Sequence, residues 1–202
     1  MVEIKQLQEI KDWFEFGITC PFIEANFCTN RADFNARLIS YEAMLGKSLP
    51  DDCKYLVAAS IGEVGNNCFD HNLGFWNGSP GCLFVRESDF CILADRGRGI
   101  KESLKGVYKL SASEHSYTEI AFEKVITGRA PEKRGNGLKF TKRSIIKCEL
   151  GFYCVSAGEN IFIGNKPNSN LSALTNYKSI GPGTLSLFSF TKNPSLVKTD
   201  KP

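Results

Sequence analysis

The chain has 202 residues, 25 basic and 22 acidic side chains, a formal net charge of +3, 42% hydrophobic residues and fifteen phenylalanines. That is enough for one sizeable core and short for two domains, and it excludes a disordered or strongly charged chain. Charge of neither sign gathers in a block and no apolar run has membrane-spanning length, so neither nucleic acid nor a membrane is indicated. Eight cysteines without a C-x-x-C pair speak against zinc and for a reduced, cytoplasmic protein.

Phe14, Phe16, Phe22, Phe27 and Phe34 require the first fifty residues to pack on something, and 29–47 reads as a helix. Residues 1–47 are therefore an extension that packs on the domain or on a partner, with a homodimer left open. At "SLPDD", Ser48 is placed to cap a helix, Pro50 suits its first turn and Asp51 completes an S-x-x-D box. The helix runs through "CKYLVAASIGEVGNNCFDHN", with Val57, Ile61, Val64 and Cys68 on one stripe and Glu63, Asn67 and His71 on the next. Gly62 and Gly65 interrupt it at a cost of roughly 1 kcal/mol each relative to alanine, so something must come close to the backbone there.

A hairpin of "CLFV" (82–85) and "FCILA" (90–94), joined by "RESD", delivers Asp95 at the head of "DRGRGI". Polar residues from 101 to 117 and a capped short helix in "SYTEIAFEKVITG", stopping at Gly128, read as a lid over 101–134. "RGNGLKFTKRSIIKCELG" is a glycine turn opening a helix that ends near Gly151, and strands are expected at 152–156, 161–163 and 184–190 before a polar tail at 191–202. The layout predicts an α+β fold of two or three helices and about five strands. Its form would be a two-layer sandwich in which a mixed, mostly antiparallel sheet is covered by helices on one face.

Singly, these short motifs are common in turns and on helix faces. Taken in order, "EVGNNCFDH", "DRGRGI" about thirty residues later and "GNGL" heading a helix resemble the GHKL ATPases, the family of type II topoisomerase ATPase domains, ninety-kilodalton heat-shock chaperones, histidine kinases and mismatch-repair ATPases. The resemblance spans residues 48–190 and implies a Bergerat-type ATP-binding fold that takes ATP and magnesium. It assigns Asp95 to the adenine amino group, with Gly97, Gly99 and Ile100 close to the base and sugar. Asn67 would ligate magnesium, whose hard character suits an amide oxygen, and Glu63 would be the catalytic carboxylate acting on the attacking group. Arg134, Gly135, Asn136, Gly137 and Leu138 would meet the triphosphate at a helix N-terminus, and Thr184 would lie near the base. The chain departs from the family pattern at Lys139, where a third glycine is common, at Cys68, usually alanine, and at Asp70, where kinases often carry a basic residue. Lys124, Arg129, Lys133 and Arg134 form a basic group ahead of "GNGL".

No following domain is expected to supply a catalytic lysine, and of the two histidines, His71 and His115, neither precedes the domain and His71 belongs to the proposed site itself. The resemblance therefore leads to small stand-alone serine kinases of the anti-sigma-factor type, which phosphorylate a small protein partner in trans. Two alternatives remain: a nucleotide-gated binding module or slow ATPase without transfer to protein, and the catalytic half of a split histidine kinase.

Overall fold

Strands covered on both faces read as unbroken apolar runs, and the middle strands of this chain have that character. The structure, a computed structural model, describes residues 4–72, 74–114, 116–126, 136–166, 171–176 and 181–190. In chain order these form α1 (Ile4–Phe16), α2 (Pro21–Asn26), β1 (Phe27–Cys28), α3 (Arg31–Leu45), α4 (Asp51–Asp70), β2 (Cys82–Arg86), β3 (Phe90–Asp95) and α5 (Gly99–Leu104). The second half supplies α6 (Tyr117–Glu123), α7 (Gly137–Lys147), β4 (Gly151–Ser156), β5 (Glu159–Gly164), α8 (Ser172–Thr175) and β6 (Thr184–Ser189). The fold is α+β. Its six strands form one sheet in the order β1-β2-β3-β6-β4-β5, and every pairing is antiparallel.

Three expectations need correction here, the first being the helix count, which is eight among the described residues and not two or three. The sheet is antiparallel throughout its described strands, not mixed, and it is covered on both faces, not one. Alternation along β3 shows why: Cys91 and Leu93 join a core with α3, α4 and α7, while Phe90, Ile92 and Ala94 join a second core with Leu7, Ile10 and Phe14 of α1, Ile23 of α2 and Leu174 of α8. Each face removes apolar area from water at about 25 cal/mol per Å², so the sheet gains from both.

The first 47 residues thus supply parts of both cores. Phe14 and Phe34 are fully buried, whereas Phe16, counted among the packing phenylalanines, is 73% exposed. Phe34 also explains a mid-helix glycine. A Cβ on Gly65 would lie 2.0 Å from the Phe34 ring, and one on Gly62 would lie 3.3 Å from Leu38, so α3 is what comes close to the α4 backbone. The Tyr41 hydroxyl, on the same helix, reaches the β2–β3 turn and donates towards the carbonyls of Glu87 (2.6 Å) and Phe90 (3.0 Å).

The start of α4 differs from the expected capping box. Ser48 remains in the preceding turn, its N–H donating to the Leu45 carbonyl, and Pro50 holds the cap position without a side-chain bond. Asp51 and Asp52 in the first turn instead place negative charge at the positive end of the helix. Among the described residues no helix is long and apolar enough to cross a membrane.

Candidate functional site

The end of the sheet where β3 finishes and β6 begins is the floor of a cavity of about 510 Å³. Register builds that floor. Asp95 pairs with Thr184 and Thr184 with Ser156, and two residues inward Leu93 pairs with Ser186 and Ser186 with Cys154. Because side chains repeat every second residue on a face, both rows point towards α4. Helix α4 forms one wall with Glu63, Asn66, Asn67, Asp70 and His71; Ile100 and Leu104 of α5, Phe122 of α6 and the start of α7 close the others.

The cavity brings together most of the residues singled out in the sequence. Glu63 and Asn67 line it from α4, Asp95 and Thr184 from the sheet, Gly99 and Ile100 from the start of α5, and Asn136, Gly137 and Leu138 from the start of α7. Arg134 and Gly135 lie outside the described residues, as do Arg129, Lys133, Gly128, His115 and the tail at 191–202.

Asp95 is 4% exposed, and burial pushes its carboxyl up from 3.8 to about 6. Hydrogen bonds to the charged form oppose that rise: Oδ1 accepts from Gly97 N and from Asn72 Nδ2, both at 2.8 Å. Asn72 was not anticipated. Buried just beyond the end of α4, it donates Nδ2 also to the Cys68 carbonyl (2.8 Å) and accepts at Oδ1 from Arg98 N (3.1 Å). It therefore ties the helix end, the acceptor carboxylate and the following turn together. The only local signal for it was an asparagine one position past the Glu63–Asn67–His71 stripe.

The glycines of "DRGRGI" acquire a different explanation from the one expected. A Cβ on Gly97 would lie 1.8 Å from Asn72 Cγ, and Gly99, at φ +75°, would place one 2.8 Å from Ser156 Oγ. Protein groups, not space for a ligand, account for both absent side chains. Ser156, also missed, is fully buried; its Oγ accepts from Ile100 N (2.9 Å) and donates to the Gly183 carbonyl (2.9 Å), with Thr184 Oγ1 at 3.1 Å. Both arginines of the motif turn elsewhere. Arg96 Nε donates to the Phe14 carbonyl of α1 (3.2 Å), and Arg98 donates to Ser103 Oγ (3.0 Å) while lying over the Phe75 ring.

Glu63 meets the start of α7, where a Cβ on Gly137 would come 2.1 Å from Glu63 Oε2. A carboxylate thus already rests at a helix N-terminus, where the dipole favours negative charge. The segment expected as a lid holds α5 and α6, and Phe122 enters the core. Glu159 on β5 fixes it by accepting from Ser116 Oγ and Thr118 N (both 3.0 Å) and by pairing with Lys101 at 3.5 Å. Near the far end, Tyr108 donates to Glu114 and Lys124 bonds both.

Eight thiols are free, and Cys68, which lines the cavity, and Cys82 lie with their sulfurs 3.4 Å apart. The hydrogen bond with Cys82, and then burial, hold the Cys68 thiol well above its ordinary range, which favours the inert protonated form. Among the described residues no three His, Cys, Asp or Glu side chains gather as a protein-built metal cage would require. An ion here would rest on amide and ligand oxygens, as magnesium bound with phosphates does. Asn67 offers one such amide, and Asn66 Oδ1 beside it is buried without a hydrogen-bond partner among the described residues. A search of protein-family models finds none that matches this chain, and a search of curated proteins also finds no match.

Proposed function

We propose that this chain is an ATP- and magnesium-binding regulatory protein of the GHKL type, with a Bergerat-type ATP-binding fold, that phosphorylates a small protein partner in trans. The observation that carries the reading is the convergence of Glu63, Asn67, Asp95, Gly137 and Thr184, far apart in sequence, on one cavity of about 510 Å³. That volume lies within the range of about 300–1,000 Å³ usual for small-molecule sites. Leu93, Ile100, Phe122 and Cys154 give it apolar surface for a flat purine, and the buried Asp95 carboxylate gives it an acceptor. An acceptor there suits the amino group of adenine and disfavours guanine, which presents an acceptor in the same place.

Asn67 is the residue that would hold magnesium. When bound, the metal would neutralise phosphate charge and orient the phosphates. Glu63 of α4, facing the start of α7, would position a partner's hydroxyl and accept its proton during in-line transfer. Asn72 and Ser156 set the turn between Asp95 and Ile100, so the recognition end would be rigid before ligand arrives.

Calorimetric titration of ATP and GTP, with and without magnesium, tests the reading. ATP binding that exceeds GTP binding and is aided by magnesium is expected; no ATP binding by the folded protein refutes it. Asn67→Ala should keep metal-free nucleotide binding and lose its magnesium dependence, and an undiminished magnesium effect would remove Asn67 from the metal site. Appearance of a phosphoserine or phosphothreonine product separates a kinase from a nucleotide-gated binding module, while acid-labile phosphohistidine would indicate the split histidine kinase.

A further inference from the structure

We propose that Arg31 is a ligand-contacting residue of the cavity, through which the site distinguishes phosphorylated nucleosides from the bare nucleoside; this rests on the nucleotide reading above. Arg31 begins α3, in the region that the sequence left without a role. The structure brings it to the cavity wall, where its Nη2 pairs with Asp70 Oδ1.

Charge is the first argument. The described lining contains the carboxylates of Glu63, Asp70 and Asp95, and Arg31 is its one lysine or arginine. A ligand carrying several negative charges in such a cavity needs a cation on the wall. Position is the second. Glu63, Asn66, Asn67 and Asp70 fall at three- and four-residue spacings on α4, a continuous strip along the cavity. Arg31 joins that strip at Asp70, within a turn of the Asn67 amide and of the buried, unpartnered Asn66 Oδ1. An acceptor left this way costs free energy until a donor or a cation meets it, and a cation carried by phosphate oxygens would do so on the same stretch of wall.

The third argument is fixation. Asn30 caps α3 by accepting from Asp33 N at 2.9 Å, and Phe34, three residues after Arg31, seats its ring against Gly65 of α4. The backbone at Arg31 is therefore held relative to the wall it faces. Asp70 orients the guanidinium, whose five N–H donors exceed what one carboxylate oxygen uses, and the side chain is 48% exposed, so donors remain available. A planar fork of donors matches phosphate oxygens better than a point charge does.

Titrating ATP, ADP and adenosine into the full chain tests this, with wild type, Arg31→Gln and Arg31→Lys compared and folding checked by thermal melting. Arg31→Gln keeps a polar side chain beside Asp70. It should weaken ATP by roughly tenfold or more while adenosine affinity stays at the wild-type value, and Arg31→Lys should restore part of the loss. Unchanged ATP affinity in Arg31→Gln overturns the proposal, as does an equal loss for ATP and adenosine, which would indicate a structural role. Wild type that binds none of the three ligands overturns the nucleotide reading and the role of Arg31 together, and so is distinct from a failure confined to the variant.

Discussion

Replacing Asp95 with asparagine separates the cost of a buried carboxylate from its use. Burial raises the Asp95 carboxyl from 3.8 to about 6 in spite of the hydrogen bonds from Gly97 and Asn72. A carboxyl that binds its proton more tightly when folded adds stability that is full below 3.8 and is lost as pH rises through about 6. At about 1.4 kcal/mol per pH unit, the loss on Asp95's account is about 3 kcal/mol over the whole transition, of which about 2 kcal/mol falls between pH 4 and 7. Asparagine does not ionise and keeps an oxygen for Gly97 N and Asn72 Nδ2. It also presents an N–H donor where the carboxylate accepts from the Thr184 backbone, which offsets part of the gain. Asp95→Asn should therefore be about 1–2 kcal/mol more stable than wild type at pH 7 and should no longer bind ATP. Urea denaturation of both proteins from pH 4 to 8 reads the difference, since groups common to both cancel. The variant should gain on wild type as pH rises, with the change centred between pH 4 and 6. A difference that stays flat across that range refutes the argument from burial.

Two glycines on one helix should respond differently to alanine. Gly65→Ala gains about 1 kcal/mol in helix propensity but drives a Cβ to 2.0 Å from the fully buried Phe34 ring. A net loss of about 1–3 kcal/mol is expected in chemical denaturation, and a stabilised variant would refute the account of α3 packing. Gly62→Ala meets only the end of Leu38 at 3.3 Å, so it should be neutral or more stable by up to about 1 kcal/mol. Ser156→Ala removes the hydroxyl shared by Ile100 N, the Gly183 carbonyl and Thr184 Oγ1. It should cost about 2–3 kcal/mol and weaken ATP in calorimetry, and an unchanged protein in both assays would show that the hydroxyl does not build the turn.

The sequence was most legible where structure is set by neighbours along the chain. The hairpin of β2 and β3, the course of α4, the glycine start of α7 and the strands β4 to β6 each carry a run or a period that a few residues suffice to display. Capping was less legible, because Ser48 competes with the turn that closes α3 and the structure keeps it there. The second covered face was missed for another reason. Helix α1 carries Leu7, Ile10 and Phe14 at helical spacing, but spacing says that a face is apolar and not which surface receives it.

The site divides the same way. The family resemblance nominated Glu63, Asn67, Asp95, Gly99, Ile100, Asn136, Gly137, Leu138 and Thr184, which line the cavity, and Gly97, which does not. Asn72, Ser156 and Arg31 had no comparable signal, since each acquires its place from a partner at least 23 residues away: Asp95, Ile100 and Asp70 respectively. Sequence by itself determined the course of α3, α4, α6 and α7 and of the strands β2 to β6, because those are properties of adjacent residues, whereas α1, α2, β1, α5 and α8 were not legible in it. Tertiary structure alone decided that Asn72 and Ser156 fill the space left by Gly97 and Gly99, and that α3 brings a cation to the wall. Those outcomes depend on strand register and helix packing, which bring together groups that no local pattern connects.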